Sequence, residues 1–182
     1  ETIRTTHSIA DAICLSIDTP AGRVFHTGDF KVDYTPVDGE KIDFRRLAEI
    51  GLEGVDLLLA DSTNAIRQGY TASERVVGQN LETIFRRTNS RIIIATFSSN
   101  VHRIQKIIDN AVLCKRKVAI SGRSMVNVVN LAIELGYISI PENVLVDINK
   151  LKGIPDKELV IITTGSQGEP MSALSRMATN DH

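Results

Sequence analysis

The stretch Leu159-Val-Ile-Ile-Thr-Thr-Gly-Ser-Gln-Gly-Glu-Pro-Met-Ser-Ala-Leu-Ser-Arg-Met-Ala178 decides how this chain is read. It opens on a continuous apolar run, passes through a loop with two glycines, and turns helix-compatible from about Met171. A strand without polar alternation is one buried on both faces, as in a parallel sheet covered by helices. The same order of strand, small polar loop and helix recurs upstream. Val55-Asp-Leu-Leu-Leu-Ala60 runs as a buried strand into Asp61-Ser-Thr-Asn64. Thr71-Ala-Ser-Glu74 then has the form of a capping box ahead of Val77, Leu81, Ile84 and Phe85 at helical spacing. Arg91-Ile-Ile-Ile-Ala-Thr-Phe97 runs into Ser98-Ser-Asn100 and a helix with Val101, Ile104, Ile107 and Ile108. Lys117-Val-Ala-Ile120 runs into Ser121-Gly-Arg-Ser124 and a helix that stops at Gly136. The expected class is α/β with a parallel sheet.

The first third reads differently. Residues 12–18 and 23–27 are two β-rich runs around Thr19-Pro-Ala-Gly22, which predicts a hairpin. His26 alternates with Phe25 on the second run and reads as packing. Residues 33–43 are polar and form a loop. Phe44, Leu47, Ala48 and Ile50 then give a short helix ended by Gly51 and Gly54. The change of architecture divides the chain into residues 1–70 and 71–182.

Composition narrows the function. The 182 residues carry 21 Lys+Arg against 22 Asp+Glu, so a basic coat for nucleic acid is excluded while local phosphate sites are not. Aromatics are 4% with no Trp, which leaves stacking platforms for single strands not evident. Cys14 and Cys114 are too few for a disulfide scaffold, and a reduced cytoplasmic setting is expected. No apolar run approaches the ~18 residues of a membrane span. The chain opens on Glu1 in sequence typical of a domain interior, so an internal segment of a longer protein is expected.

In a parallel α/β sheet the loops after the strands share the carboxyl edge, where ligands bind. Each of the four loops here precedes a helix. Helix N-termini offer unpaired N–H groups and partial positive charge to phosphate oxygens. The candidate phosphate contacts are Ser98, Ser99, Asn100, Arg103, Arg123, Ser124, Gly165, Ser166 and Gln167. The same residue types also serve as plain helix caps. Neither a P-loop nor a Gly-x-Gly-x-x-Gly motif is present.

Thr5-Thr-His7-Ser precedes the hairpin, and Thr27-Gly-Asp29-Phe-Lys31 ends it. An imidazole and a carboxylate brought to one sheet edge are a reasonable zinc pair. By spacing alone, a lone His and a lone Asp are more often caps or surface groups.

These two segments resemble the third and fourth metal-binding motifs of the metallo-β-lactamase superfamily. Together with Leu-Leu-Leu-Ala-Asp61-Ser-Thr-Asn-Ala, Ala-Thr-Phe-Ser-Ser-Asn-Val-His-Arg, Ser-Gly-Arg-Ser-Met and the stretch after Leu159, they resemble the β-CASP nucleases of the ribonuclease J type. The resemblance covers essentially the whole chain. It implies part of a metallo-β-lactamase-type β-sandwich followed by a Rossmann-like β-CASP domain. It implies that His7 is a zinc ligand and that Asp29 bridges two zinc ions. It implies that Asp61 is a catalytic-site acid that orients a histidine. It implies RNA as substrate, cut endonucleolytically and from the 5′ end, and a homo-oligomeric parent. The family's His-x-His-x-Asp-His motif and its late histidine motifs do not occur in these 182 residues, and His182 in Asn-Asp-His does not match them. The segment alone is therefore expected to be inactive. The alternatives are a non-catalytic Rossmann-like module binding RNA or nucleotides, and a β-CASP nuclease directed at DNA.

Overall fold

A computed structural model describes residues 1–179. The chain divides into two compact units, Glu1–Val76 and Val77–His182.

In the first unit, β1 (Thr2–Arg4), β2 (Ile13–Thr19), β3 (Gly22–His26) and β4 (Leu57–Leu59) form one sheet in that order. β1–β2 and β2–β3 are antiparallel, and β3–β4 is parallel. The hairpin closes on Pro20 and Ala21, with Thr19 paired to Gly22. Helix α1 (Phe44–Glu53) covers one face, where Ile3, Cys14, Phe25 and Ile50 form the core with Leu47 against it. On β2 the alternate side chains Ile13, Leu15 and Ile17 point away from this core and are exposed, as are Leu57 and Leu59. A sheet apolar on both faces has the composition of one covered on both sides.

Two readings are corrected here. Val55–Ala60 is not a buried strand: Leu57, Leu58 and Leu59 are all exposed on a sheet edge. Its strand belongs to the first sheet, so the loop at Asp61 follows that sheet and is not one of the loops of the parallel sheet. His26 does not pack inward either. It is exposed, and its Nδ1 accepts the Gly28 N–H at 2.9 Å.

The unit boundary at Val76/Val77 lies six residues beyond the division expected at 70/71. The reason is bonding. Lys31 Nζ donates to the Ala72 carbonyl at 2.7 Å, and the Ser73 hydroxyl donates to the Thr35 carbonyl at 3.0 Å, so residues 72–73 are held to the first unit. Helix α2 (Glu74–Arg87) begins immediately after them. Its start is capped by Ser73, whose Oγ accepts the Arg75 N–H at 3.3 Å, in place of the Thr71–Glu74 box.

The second unit is the expected parallel sheet. β5 (Ile92–Ala95), β6 (Lys117–Ser121), β7 (Leu145–Val146) and β8 (Leu159–Thr163) lie in the order β5-β8-β6-β7, every neighbour parallel. β8 is buried along its whole length. Helix α3 (Val101–Leu113) contributes Ile104, Ile107, Ile108 and Ala111 to the core, and α4 (Arg123–Glu134) contributes Met125, Val129 and Ala132. Ala119, Leu159 and Ile161 form a second cluster under Val146, Ile148, Leu151, Ile154 and Met177, the last from α5 (Ala173–Ala178). Arg116 is buried, and its guanidinium donates to the Ser90 carbonyl at 2.9 Å and to the Thr88 carbonyl. These bonds satisfy carbonyls left over after the end of α2.

Candidate functional site

The hairpin brings His7 and Asp29 together from 22 residues apart: His7 Nε2 lies 3.9 Å from Asp29 Oδ2. Backbone bonding sets this approach. The Lys31 N–H donates to the Thr6 carbonyl at 2.7 Å, and the Thr6 hydroxyl donates to the Lys31 carbonyl. Gly28 sits between at φ +59°, where a Cβ would stand 2.7 Å from the Ile13 carbonyl oxygen. Only glycine fits that turn.

Asp61 follows β4 on the neighbouring loop. Its N–H donates to Thr27 Oγ1 at 2.9 Å, and its Oδ1 accepts the Thr63 N–H at 2.8 Å. The Thr63 amide and hydroxyl hold its carboxyl below the usual carboxylate range, with smaller help from the Phe30 amide and the nearby His7. Thr6, Thr27 and Thr63 thus position the three expected site residues. Sequence reading passed over them because a threonine beside a loop carries no signal of what its hydroxyl will meet.

An imidazole and a carboxylate are donors of the kind zinc takes. A tetrahedral ion with bonds of about 2.0–2.2 Å needs two donors about 3.3–3.6 Å apart, so the pair at 3.9 Å would close by a few tenths of an ångström on one ion. Among the described residues no group of three or more His, Cys, Asp or Glu is placed to hold a metal, so the pair is an incomplete shell here.

In the second unit the three remaining loops meet at the carboxyl edge of the parallel sheet. Ser98 Oγ and Ser124 Oγ share a hydrogen bond of 3.1 Å. The Thr96 N–H donates to the Thr163 carbonyl at 3.0 Å. A Cβ built on Gly122 would lie 3.2 Å from Thr164 Oγ1. Arg123, Ser124, Ser166 and Gln167 are exposed on these loops, with Ser98 and Ser99 half-buried. Asn100 is buried, and its Oδ1 caps α3 by accepting the Arg103 N–H at 3.1 Å. This cap shapes the start of α3. Thr96 is buried, and among the described residues its Oγ1 has no hydrogen-bond partner.

Gly165 is the pivot of the last loop. It is buried at φ +118°, and a Cβ there would stand 2.6 Å from Ser172 Oγ and 2.8 Å from Leu174 Cβ. Gly165→Ala is expected to destabilise the second unit by roughly 1–3 kcal/mol through backbone strain and the clash. Urea unfolding checks this, with a lowered midpoint at unchanged slope as the expected result.

Residues 89–182 match the family model of the ribonuclease J β-CASP domain. The chain belongs to the ribonuclease J family. Along its whole length it is 49% identical to ribonuclease J of Synechocystis sp. and 48% identical to ribonuclease J of Helicobacter pylori. It is 45% identical over 179 residues to ribonuclease J of Thermus thermophilus. It covers 28%, 26% and 31% of these relatives, so the chain spans about a quarter to a third of a ribonuclease J of their length. A crystal structure of an Enterococcus faecalis V583 protein of unknown function matches 91% of this chain and 41% of its own, with a TM-score of 0.60 at 16% identity, which shows a shared fold. No helix among the described residues is long and apolar enough to cross a membrane.

Proposed function

We propose that this chain is a segment of a metal-dependent ribonuclease that acts in RNA processing and decay, both as an endonuclease and from the 5′ end. The observation that carries the reading is the meeting of His7 and Asp29 in a chain whose ribonuclease J relatives match it end to end. His7 and Asp29 would hold zinc, with further donors supplied by parts of the protein beyond these residues. The chemistry a metal held by these residues would supply is positive charge for the scissile phosphate and a lowered pKa for attacking water. Asp29 would hold two cations close by placing a negative charge between them. Asp61, fixed by Thr27 and Thr63, would orient a neighbouring group at the site.

The loops of the second unit would bind the RNA backbone. Helix N-termini and small hydroxyl residues suit phosphate oxygens, and Arg123 is an exposed cation at the first position of α4. These contacts carry no base information, which fits a nuclease acting on many sequences. For this segment by itself, the incomplete donor set among the described residues favours RNA binding without cleavage.

Arg123→Ala in the full-length protein tests the phosphate role. Filter binding to single-stranded RNA at several salt concentrations is expected to show weaker affinity, with the log–log salt slope reduced by about 0.7 for one lost phosphate contact. Cleavage at saturating RNA should change much less. Unaltered affinity and slope would remove Arg123 from the RNA path. A wild-type protein that neither binds nor cuts single-stranded RNA, or that cuts only DNA, would overturn the ribonuclease reading itself.

A further inference from the structure

Few aromatics are present, yet two of them meet on the surface of the first unit. The rings of Tyr34 and Phe44 stack with centroids 5.5 Å apart and planes inclined by 22°. This is the offset geometry that aromatic pairs prefer. Tyr34 is 67% exposed and Phe44 39%. Phe44 stacks on one face of Tyr34, and two-thirds of Tyr34 stays exposed. Neither ring contributes to the buried cluster of Ile3, Cys14, Phe25 and Ile50.

The backbone under both rings is anchored. Asp33 is buried beside Tyr34, and its Oδ1 accepts the Thr35 N–H at 2.9 Å and the Thr35 hydroxyl at 3.4 Å. Ser73 Oγ donates to the Thr35 carbonyl at 3.0 Å. Phe44 opens α1, and Asp43 caps it by accepting the Arg46 N–H at 2.9 Å. A ring held outward on fixed backbone loses little freedom when something flat settles on it.

The stack is tied by backbone bonding to the segments that lead to the candidate metal pair. The Asp43 N–H donates to the Arg4 carbonyl at 3.2 Å, and His7 lies three residues beyond Arg4, at most about 11 Å of chain. On the other side, Lys31 is bonded to Thr6 and lies between Asp29 and Tyr34 in the loop. Tyr34 follows Asp29 by five residues, at most about 18 Å of chain, so a strand of nucleic acid with a phosphate at His7 and Asp29 needs a few nucleotides to span to Tyr34.

We propose that Tyr34, backed by Phe44, stacks on one unpaired base of a single-stranded RNA whose scissile phosphate lies at His7 and Asp29. This rests on the ribonuclease reading given above. The exposed ring takes any of the four bases, because each has a π-face, so the contact positions the strand without reading its sequence. It also favours a single strand over a duplex, whose bases are already stacked on one another.

The test uses the full-length, metal-loaded protein and single-stranded RNA carrying 2-aminopurine at successive positions around the cleavage site. Wild type is compared with Tyr34→Ala and Tyr34→Trp. At one or two adjacent positions, wild type and Tyr34→Trp should quench the fluorescent base on mixing, and Tyr34→Ala should not. KM should rise roughly 5- to 150-fold in Tyr34→Ala, with a smaller change in kcat. An abasic nucleotide at the quenched position should impose the same loss on wild type and add nothing to the loss in Tyr34→Ala. Equal KM for wild type and Tyr34→Ala, or a quench pattern that survives the substitution, overturns the proposal. So does a Tyr34→Ala defect with no counterpart for the abasic RNA on wild type, which would assign the rings to a protein contact. If Tyr34→Ala fails to fold, the Trp variant and the abasic arm on wild type still decide. Failure of wild type to bind or cut any of these RNAs would instead strike the ribonuclease reading.

Discussion

Replacing Asp29 by alanine in the full-length protein is expected to abolish RNA cleavage, by a factor on the order of a thousand or more, while RNA binding stays close to wild type. The Asp29 side chain is 81% exposed and lies 3.9 Å from His7. Its removal therefore leaves no buried polar group stranded, and the fold should hold. What is lost is charge: cations held side by side repel one another unless a carboxylate sits between them. RNA affinity should survive, because it is expected to come from backbone N–H groups and Arg123 in the other unit. Single-turnover cleavage beside filter binding separates the two effects. Near-normal cleavage by Asp29→Ala at saturating RNA would place the metal site elsewhere.

Ile162→Ala is expected to be the most damaging core change, costing about 2–5 kcal/mol. Ile162 is fully buried in β8, level with Ile94 of β5 and Ile120 of β6. Shortening it opens a cavity in the middle of the sheet, where strands on both sides limit collapse. The control is Ile93→Ala in β5. Ile93 is the same residue type in the same sheet but 47% exposed, and its loss should stay within about 1 kcal/mol. Thermal unfolding reads the difference, at roughly 2–4 °C per kcal/mol for a chain of this size. Equal shifts for the two variants would mean that β8 is less enclosed than its burial indicates.

The parallel sheet was legible because Lys117–Ser121 and Leu159–Thr163 are apolar runs of the kind covered on both faces, and Ile92–Ala95 shares their composition although Ile93 is exposed on the edge strand. The run at Val55–Ala60 has the same composition and a different fate. β4 pairs with β3 on the edge of the first sheet, and its leucines stay exposed. Local composition records that a strand needs cover, and it does not record which sheet receives it. β7 escaped notice because two residues, Leu145 and Val146, carry no periodicity. The meeting of His7 with Asp29 came through motif resemblance, since their spacing alone does not specify a contact. Tyr34 and Phe44 lay unseen for a related reason. Tyr34 lies inside the stretch 33–43 read as a polar loop and Phe44 opens the helix after it, and a ring contact across a loop depends on how the loop turns.

The strand order β5-β8-β6-β7 also constrains when the second unit can form. The strand that separates β5 from β6 is the last of the four to be synthesised. At about 5–20 residues per second, a ribosome makes Thr163 roughly 3–14 s after Ala95. Until then β5 and β6 have no common neighbour, and each waits with an unpaired side. A chain interrupted anywhere before Leu159 loses the middle of the sheet rather than its end, so premature termination there should yield protein that is degraded or aggregates instead of a shortened working domain.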